Sequence, residues 1–272
     1  MILVTGATGN VGRHIVAGLH RDGYDVTAVT RTPATAAFPP EVRVQPTENI
    51  DLSGVESIFV NIAAFPDGPD EIVARAADSG VQRIVGLSTY SVGDPNPRNA
   101  IAVRHRHLED IVRASGMEWV LPRPAGGFAM TTLEWAGSIK RERTVRAPYG
   151  EAHGAPLHEK DIAAVCLAGL TTKDLLGQEP QFSGPESISY RRRAEIISEV
   201  LGEPITFVEL TDEDARVVWA EAGVPPHAIQ ARLGMFASMV GVSHPVDPIE
   251  PFIGRPGLTY ADWVRDHIDA FR

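Results

Sequence analysis

A single cysteine is all the chain offers for covalent cross-linking. Cys166 lies inside the apolar stretch 162–170, can form no intrachain disulfide and has no metal-ligand pattern beside it. No other His, Cys or carboxylate spacing suggests a metal site, so none is expected. Long apolar runs are missing as well: nothing approaches the roughly 18 residues that read as a membrane span, and no membrane partner is expected. Positive charge is scarce. The net charge is −10, and the one basic tract, Arg191-Arg192-Arg193, opens a predicted helix as its solvated face. Clustered cations are what hold a phosphate backbone, which argues against nucleic acid as a partner. A strand starting at residue 2 leaves no room for a signal peptide, and with its lone thiol the chain reads as a reduced, cytoplasmic protein. Neither an internal repeat nor a low-complexity tract is present. With 43% hydrophobic residues in 272, a substantial core can be buried,.

What is there is concentrated in the first dozen residues. Ile2 to Val4 form an apolar, β-favouring run long enough for a buried parallel strand. Gly6-x-x-Gly9-x-x-Gly12 follows at once, with Val11, Ile15, Val16 and Leu19 at helical spacing,. Strand, glycine turn and amphipathic helix in this order form a dinucleotide-binding βα unit. Glycines let the backbone approach a pyrophosphate, and the free N–H groups at the helix start favour its charge. Gly6, Thr8, Gly9, Asn10, Val11 and Gly12 are the expected cofactor contacts, with Thr5 and Thr8 as further hydroxyl donors. The second strand, 25–30, ends in Thr30-Arg31-Thr32. An acid at that point would bond the ribose 2′-hydroxyl of NAD and repel a 2′-phosphate. Arg31, 19 residues after Gly12, favours NADP(H) instead; a surface arginine on a loop is the other reading.

Further strands are expected at 42–44, 57–62, 83–87 and 119–121, alternating with helices at 70–78 and up to Ser115. The segment 48–54 can hold only a turn or a stunted helix. This alternation implies an α/β architecture, a Rossmann-type doubly wound parallel sheet. Ligands of such sheets bind beyond the carboxyl ends of the strands. Asn61, Ala63 and Ala64 lie there on the fourth strand, where small residues let a cofactor ring approach. Ser88, Thr89 and Tyr90 end the fifth strand and face the nicotinamide, and Arg123-Pro124 closes the sixth. Residues 1–125, completed by roughly 155–190, are the expected dinucleotide-binding domain. Residues 126–154 and 190–272 are the expected smaller C-terminal α+β substrate lobe. Within it Phe128, Met130 and Trp135 could cover a substrate or simply pack. Helices are expected at 161–170, 189–201, after the capping box Thr211-x-x-Asp214, at 226–240 and at 259–271. Short strands are expected at 181–183, returning to the sheet, and at 205–210.

The opening Val-Thr-Gly-Ala-Thr-Gly-Asn-Val-Gly, the Leu-Ser-Thr end of strand five and Glu109 followed by Arg113-Ala-Ser-Gly116 resemble the NmrA-like, atypical short-chain dehydrogenase/reductase family. So do Leu121-x-Arg123-Pro124, His158-x-x-Asp161-Ile-Ala, Ser183-Gly-Pro-Glu-x-Ile-Ser189 and Gly254-Arg-Pro. The resemblance covers essentially the whole chain. It implies an NADP(H)-binding Rossmann domain, a small C-terminal lobe and a cleft between them. The family includes bacterial quinone reductases, plant isoflavone-type reductases and redox-sensing regulators without turnover. Ordinary short-chain dehydrogenases pair a tyrosine with a lysine four residues later, which lowers the phenol pKa. No tyrosine here has that lysine; the only lysines are Lys140, Lys160 and Lys173. The reductase branch places a lysine four residues before the glutamate matching Glu109, where this chain has His105. On a helix His105 shares the packed face of Leu108 and Val112. It could donate a proton or be a helix-surface residue. Tyr90 is the second candidate donor, or merely covers the cofactor. His158 matches a structural part of the pattern, which implies a supporting or packing role.

The reading that results is an NADPH-dependent oxidoreductase transferring hydride to a small electrophilic molecule, a quinone, enone or aromatic metabolite. The alternative is a non-catalytic NADP(H) sensor, and only that reading implies a protein partner.

Overall fold

The computed structural model describes residues 1–272. It divides into two units, Met1–Ala125 with Glu159–Phe182 and Ile249–Arg255, and Gly126–His158 with Ser183–Pro248 and Pro256–Arg272. The segment Ile249–Arg255, expected in the lobe, clusters with the first unit, where Phe252 meets Phe182 edge to face at 6.3 Å.

In the first unit, β1 (Ile2–Thr5) is followed by α1 (Gly12–Arg21), β2 (Val26–Thr30), β3 (Arg43–Pro46), β4 (Ser57–Val60) and α2 (Asp70–Asp78). Then come β5 (Arg83–Gly86), α3 (Ala100–Ala114) and β6 (Glu118–Val120). The six strands form one parallel sheet in the order β3-β2-β1-β4-β5-β6. Chain direction across the sheet reverses between β1 and β4, which opens a crevice at their carboxyl ends. β1, β2 and β5 are buried along their whole length, as strands covered on both faces must be, and even the charged Arg83 that opens β5 is 9% exposed,. Leu3, Ile58 and Ile84 of the sheet pack with Ile72 and Val73 of α2 and Leu108 and Val112 of α3. α1 buries Ile15, Val16 and Leu19, the stripe its periodicity gives, and lies against helix Glu159–Thr171. Two expectations shift. β3 starts and ends later than 42–44, because it is an edge strand that buries little and carries no apolar signal. Gln181–Phe182 does not join the six-stranded sheet but pairs in parallel with Arg123–Pro124, a separate short strand beyond β6. The segment 48–54 holds turns, the first of its two expected forms.

The second unit has its own core, in which Tyr260 and Trp263 stack at 5.6 Å and Trp263 stacks on His267 at 4.5 Å. The buried Tyr260 hydroxyl donates to Thr132 Oγ1 at 2.8 Å. Elements not expected from the sequence include helix Ala136–Glu142, strand Thr144–Ala147, which pairs in parallel with Thr206–Glu209, and the short antiparallel pair His153–Gly154 and Ile188–Ser189. The final helix is shorter than expected: Tyr260–Asp266, then a single tight turn Ile268–Ala270. The Thr211–Asp214 and Thr259–Asp262 capping boxes both form.

Candidate functional site

The glycine turn closes at the crevice between β1 and β4. Gly6 takes φ +59°, the left-handed region open to glycine,. The Gly9 N–H folds back on the Gly6 carbonyl at 2.9 Å. A Cβ on Gly12 would stand 2.2 Å from that same oxygen, so only glycine lets α1 start this close to the strand. The N–H groups of Asn10, Val11 and Gly12 find no acceptor in the protein, and Val11 brings no capping side chain. Orphan donors at a helix start, backed by its dipole, suit a phosphate.

Beyond the strand ends lies a cavity of about 220 Å³ whose wall includes Gly6, Thr8, Gly9, Thr30, Arg31 and Asn61, and which contains no acidic residue. A cavity of about 300 Å³ shares Arg31, Thr47 and Ala64 with it and adds Phe65, Pro66 and Gly68. Thr47 Oγ1 is buried without a hydrogen-bond partner, an orphaned hydroxyl on the wall of both cavities. Arg31 is exposed and makes no ion pair or hydrogen bond. Free backbone donors, an acid-free cradle and an unpaired guanidinium fit the phosphates of a dinucleotide, and the second cavity, with Phe65, Pro66 and Ile72 on its wall, offers apolar surface for its base. Glu48, Asp67 and Glu71 line that second cavity only, so no acid stands with Arg31 in the first. Thr47 and Phe65 escaped the sequence reading. Placing β3 at 42–44 left Thr47 well beyond a strand end, when it directly follows Pro46.

Two expected ligand contacts turn out to be committed to the protein. Thr5 is fully buried, and its hydroxyl accepts the Asn61 N–H at 3.0 Å; its burial, not this bond, keeps its own proton from a phosphate. Ser88 is buried and donates to Glu109 Oε1 at 2.5 Å. Thr8 is exposed, its hydroxyl 2.8 Å from that of Thr30. Asn61 accepts the Ala63 N–H at 3.0 Å, and Thr89 accepts the Ser91 N–H at the start of a short turn. Pro124 is buried opposite Phe182.

Glu109 anchors the sheet end. Arg123 donates to both its oxygens at 2.8 and 2.6 Å, and Arg113 donates at 2.7 Å. Both arginines also pair with Glu179. Burial pushes the Glu109 carboxyl up, but the hydrogen bonds from Arg123, Ser88 and Arg113 outweigh it and hold the carboxyl below the ordinary glutamate range.

Half-buried His105 lies on α3, its Nδ1 2.8 Å from the Ile101 carbonyl. A carbonyl only accepts, so Nδ1 carries the proton. Burial depresses the imidazole pKa below its ordinary value, and Arg104 adds to this, so the ring is neutral near pH 7 and its Nε2 is bare. In this tautomer His105 offers Nε2 as a hydrogen-bond acceptor,. His107 is exposed and reaches Asp70 at 2.7 Å. Tyr90 is 53% exposed, and its hydroxyl has no partner in the protein.

Phe128, Met130 and Trp135 belong to the second unit. Phe128 is exposed, Met130 packs on that unit's core, and Trp135 is buried against Tyr190, edge to face at 6.0 Å. His158 is buried, 3.1 Å from Asp266, a packing and pairing role.

The model for NAD(P)H-binding proteins matches residues 6–173, more than half of the chain. The chain belongs to this NAD(P)H-binding family. Over its full length it is 35% identical to the (4-alkanoyl-5-oxo-2,5-dihydrofuran-3-yl)methyl phosphate reductase of Streptomyces griseus, covering 99% of that protein. It is 28% identical to the NAD(P)H azoreductase of Xenophilus azovorans, over 100% of this chain and 99% of the relative. Its fold matches that of the NADPH-dependent quinone oxidoreductase from Escherichia coli with a TM-score of 0.76 at 23% identity, covering 99% of this chain and 100% of that one. The NmrA-like, atypical short-chain reductase identity read from the motifs is borne out, and the protein is an NAD(P)H-dependent reductase. No helix is long and apolar enough to cross a membrane.

Proposed function

We propose that the protein reduces a small electrophilic organic molecule, a quinone, enone or aromatic metabolite, with NADPH as the preferred donor, in the cytoplasm. When bound, the nicotinamide supplies the hydride. One observation carries the substrate class: no strong proton donor is assembled among the candidates Ser88, Tyr90 and His105. His105 is neutral with a bare Nε2, Ser88 is held by Glu109, and Tyr90 stands alone without a lysine. An acceptor whose reduced form takes its proton from water suits that set. An ordinary ketone, which needs general-acid help, does not. Phe128 and Met130 are the apolar contacts we assign to the substrate, while Trp135 is buried against Tyr190. Two named relatives, a reductase of an oxo-dihydrofuranyl compound and an azoreductase, also act on unsaturated acceptors.

The test is steady-state NADPH oxidation across quinones, enones and aromatic ketones. With a quinone, His105→Ala and Tyr90→Phe should each lower kcat by less than about tenfold, below the usual contribution of general acid–base catalysis. A loss beyond a hundredfold would overturn unassisted hydride transfer. No oxidation with any acceptor, despite tight NADPH binding, would move the protein to the sensor branch.

Arg31 is assigned to the 2′-phosphate. A charge-assisted pair of this kind is worth roughly 1.5–3 kcal/mol. Arg31→Ala should therefore weaken NADPH binding about tenfold or more and leave NADH unchanged. Equal affinity of the wild type for the two cofactors would sink the preference.

A further inference from the structure

The second unit holds a cavity of its own, about 540 Å³, sharing no residue with the dinucleotide site, and in the size range of small-molecule sites. Its aromatic wall is Trp135, Tyr190, Trp219 and Phe236. Tyr190 meets Trp135 at 6.0 Å and Phe236 at 4.9 Å, both edge to face, which fixes the rings before anything binds. Three guanidinium groups reach the same space. Arg232 lies 4.7 Å over the Trp219 ring and pairs with Glu134 at 2.5 Å, while Arg146 pairs with Glu142 at 2.6 Å. Arg141 has no acidic partner; it folds over Gly137, where an added Cβ would lie 3.2 Å from its Nη1.

Three arginines against two glutamates leave one unopposed positive charge on this wall, in a chain of net charge −10. Each glutamate is already neutralised, so nothing in the cavity invites a cation. Preformed ring faces select a flat π-system, and a free guanidinium fork selects a carboxylate, sulfonate or phosphate. We propose that this cavity binds a planar aromatic or conjugated organic anion, its rings against Trp219 and Tyr190 and its charge on Arg141. The proposal concerns binding and stands whether or not the assigned hydride acceptor is right.

The probe is 1-anilinonaphthalene-8-sulfonate, titrated into the full chain beside its neutral relative N-phenyl-1-naphthylamine. One sulfonate per chain should bind, about tenfold more tightly than the neutral probe, with quenching of tryptophan emission. Arg141→Gln, at an exposed residue without partners, should fold normally. It should weaken the sulfonate roughly five- to tenfold and leave the neutral probe unchanged; Arg141→Lys should recover part of the loss. Trp219→Leu should weaken both probes. The anion could be a substrate or a regulator, and kinetics separates them. Competition between the sulfonate and the hydride acceptor supports a substrate site, and a change in kcat without competition supports a regulatory one. The proposal is overturned if the two probes bind alike, or if Arg141→Gln and Trp219→Leu both leave sulfonate affinity within about twofold.

Discussion

Gly9→Val should abolish NADPH binding while the protein stays folded. Gly9 is exposed and forms part of the acid-free cavity wall, so an isopropyl group there projects toward the space the pyrophosphate must enter. Its Cβ would sit 3.1 Å from the Gly6 carbonyl oxygen, tight but tolerable with a small shift, and Gly9 does not take a positive φ. The structural cost is therefore modest, about 1 kcal/mol. Binding suffers far more, because the phosphate can no longer reach the free N–H groups of Asn10 and Val11. Losing two charge-assisted hydrogen bonds at roughly 1.5–3 kcal/mol each predicts a fall of more than about a hundredfold. Calorimetric titration with NADPH measures it, and circular dichroism with a thermal melt checks the fold. An affinity within about tenfold of the wild type would reduce the turn to a structural role. Gly12→Ala should behave differently: its Cβ collides with backbone at 2.2 Å, so stability and binding should fall together.

The contrast between these glycines marks how far the sequence can be read. Strand, turn and helix follow one another within a dozen residues, so local spacing placed the cradle and the start of α1 without knowledge of the rest. Asp70–Asp78 is a helix over the residues its pattern gives, with acids in its first turn. Features that depend on distant partners were not legible. Thr144–Ala147 reads as no strand because Thr-Val-Arg-Ala has one large apolar residue; it is made a strand by Thr206–Glu209. Thr5 and Ser88 look like ligand groups at strand ends, and only the folded chain shows that Thr5 is buried and that the Ser88 hydroxyl is held by Glu109. His105 was correctly placed on the face of Leu108, yet its chemistry turns on a proton fixed by the Ile101 carbonyl one turn earlier. A surface histidine and a tautomerically locked one have the same letter.

Glu109→Gln should cost about 3 kcal/mol of stability. The carboxylate is 2% exposed and receives hydrogen bonds from Ser88, Arg113 and Arg123, so it joins β5, α3 and the short strand beyond β6. Breaking a buried pair by removing one partner typically costs 3–5 kcal/mol. The lower end applies here, because both arginines keep Glu179 and remain partly exposed. The amide is almost the same size, so packing is conserved, but its NH₂ faces guanidinium donors where an acceptor stood. For a chain of this length the melting temperature should drop by roughly 6–12 °C. Glu109 titrates below the ordinary glutamate value in the folded protein. A depressed carboxylate stabilises above its unfolded pKa and loses that contribution as pH falls through its folded pKa. The gap between wild type and variant should be full at neutral pH and shrink toward about pH 3. Urea titrations at the two pH values read it directly. A gap that persists undiminished in acid would mean that shape, and not charge, is what Glu109 supplies. Ser88→Ala closes the cycle: coupling of about 1 kcal/mol with Glu109→Gln is expected for groups in direct contact, and strictly additive losses would show that their 2.5 Å hydrogen bond contributes nothing of its own.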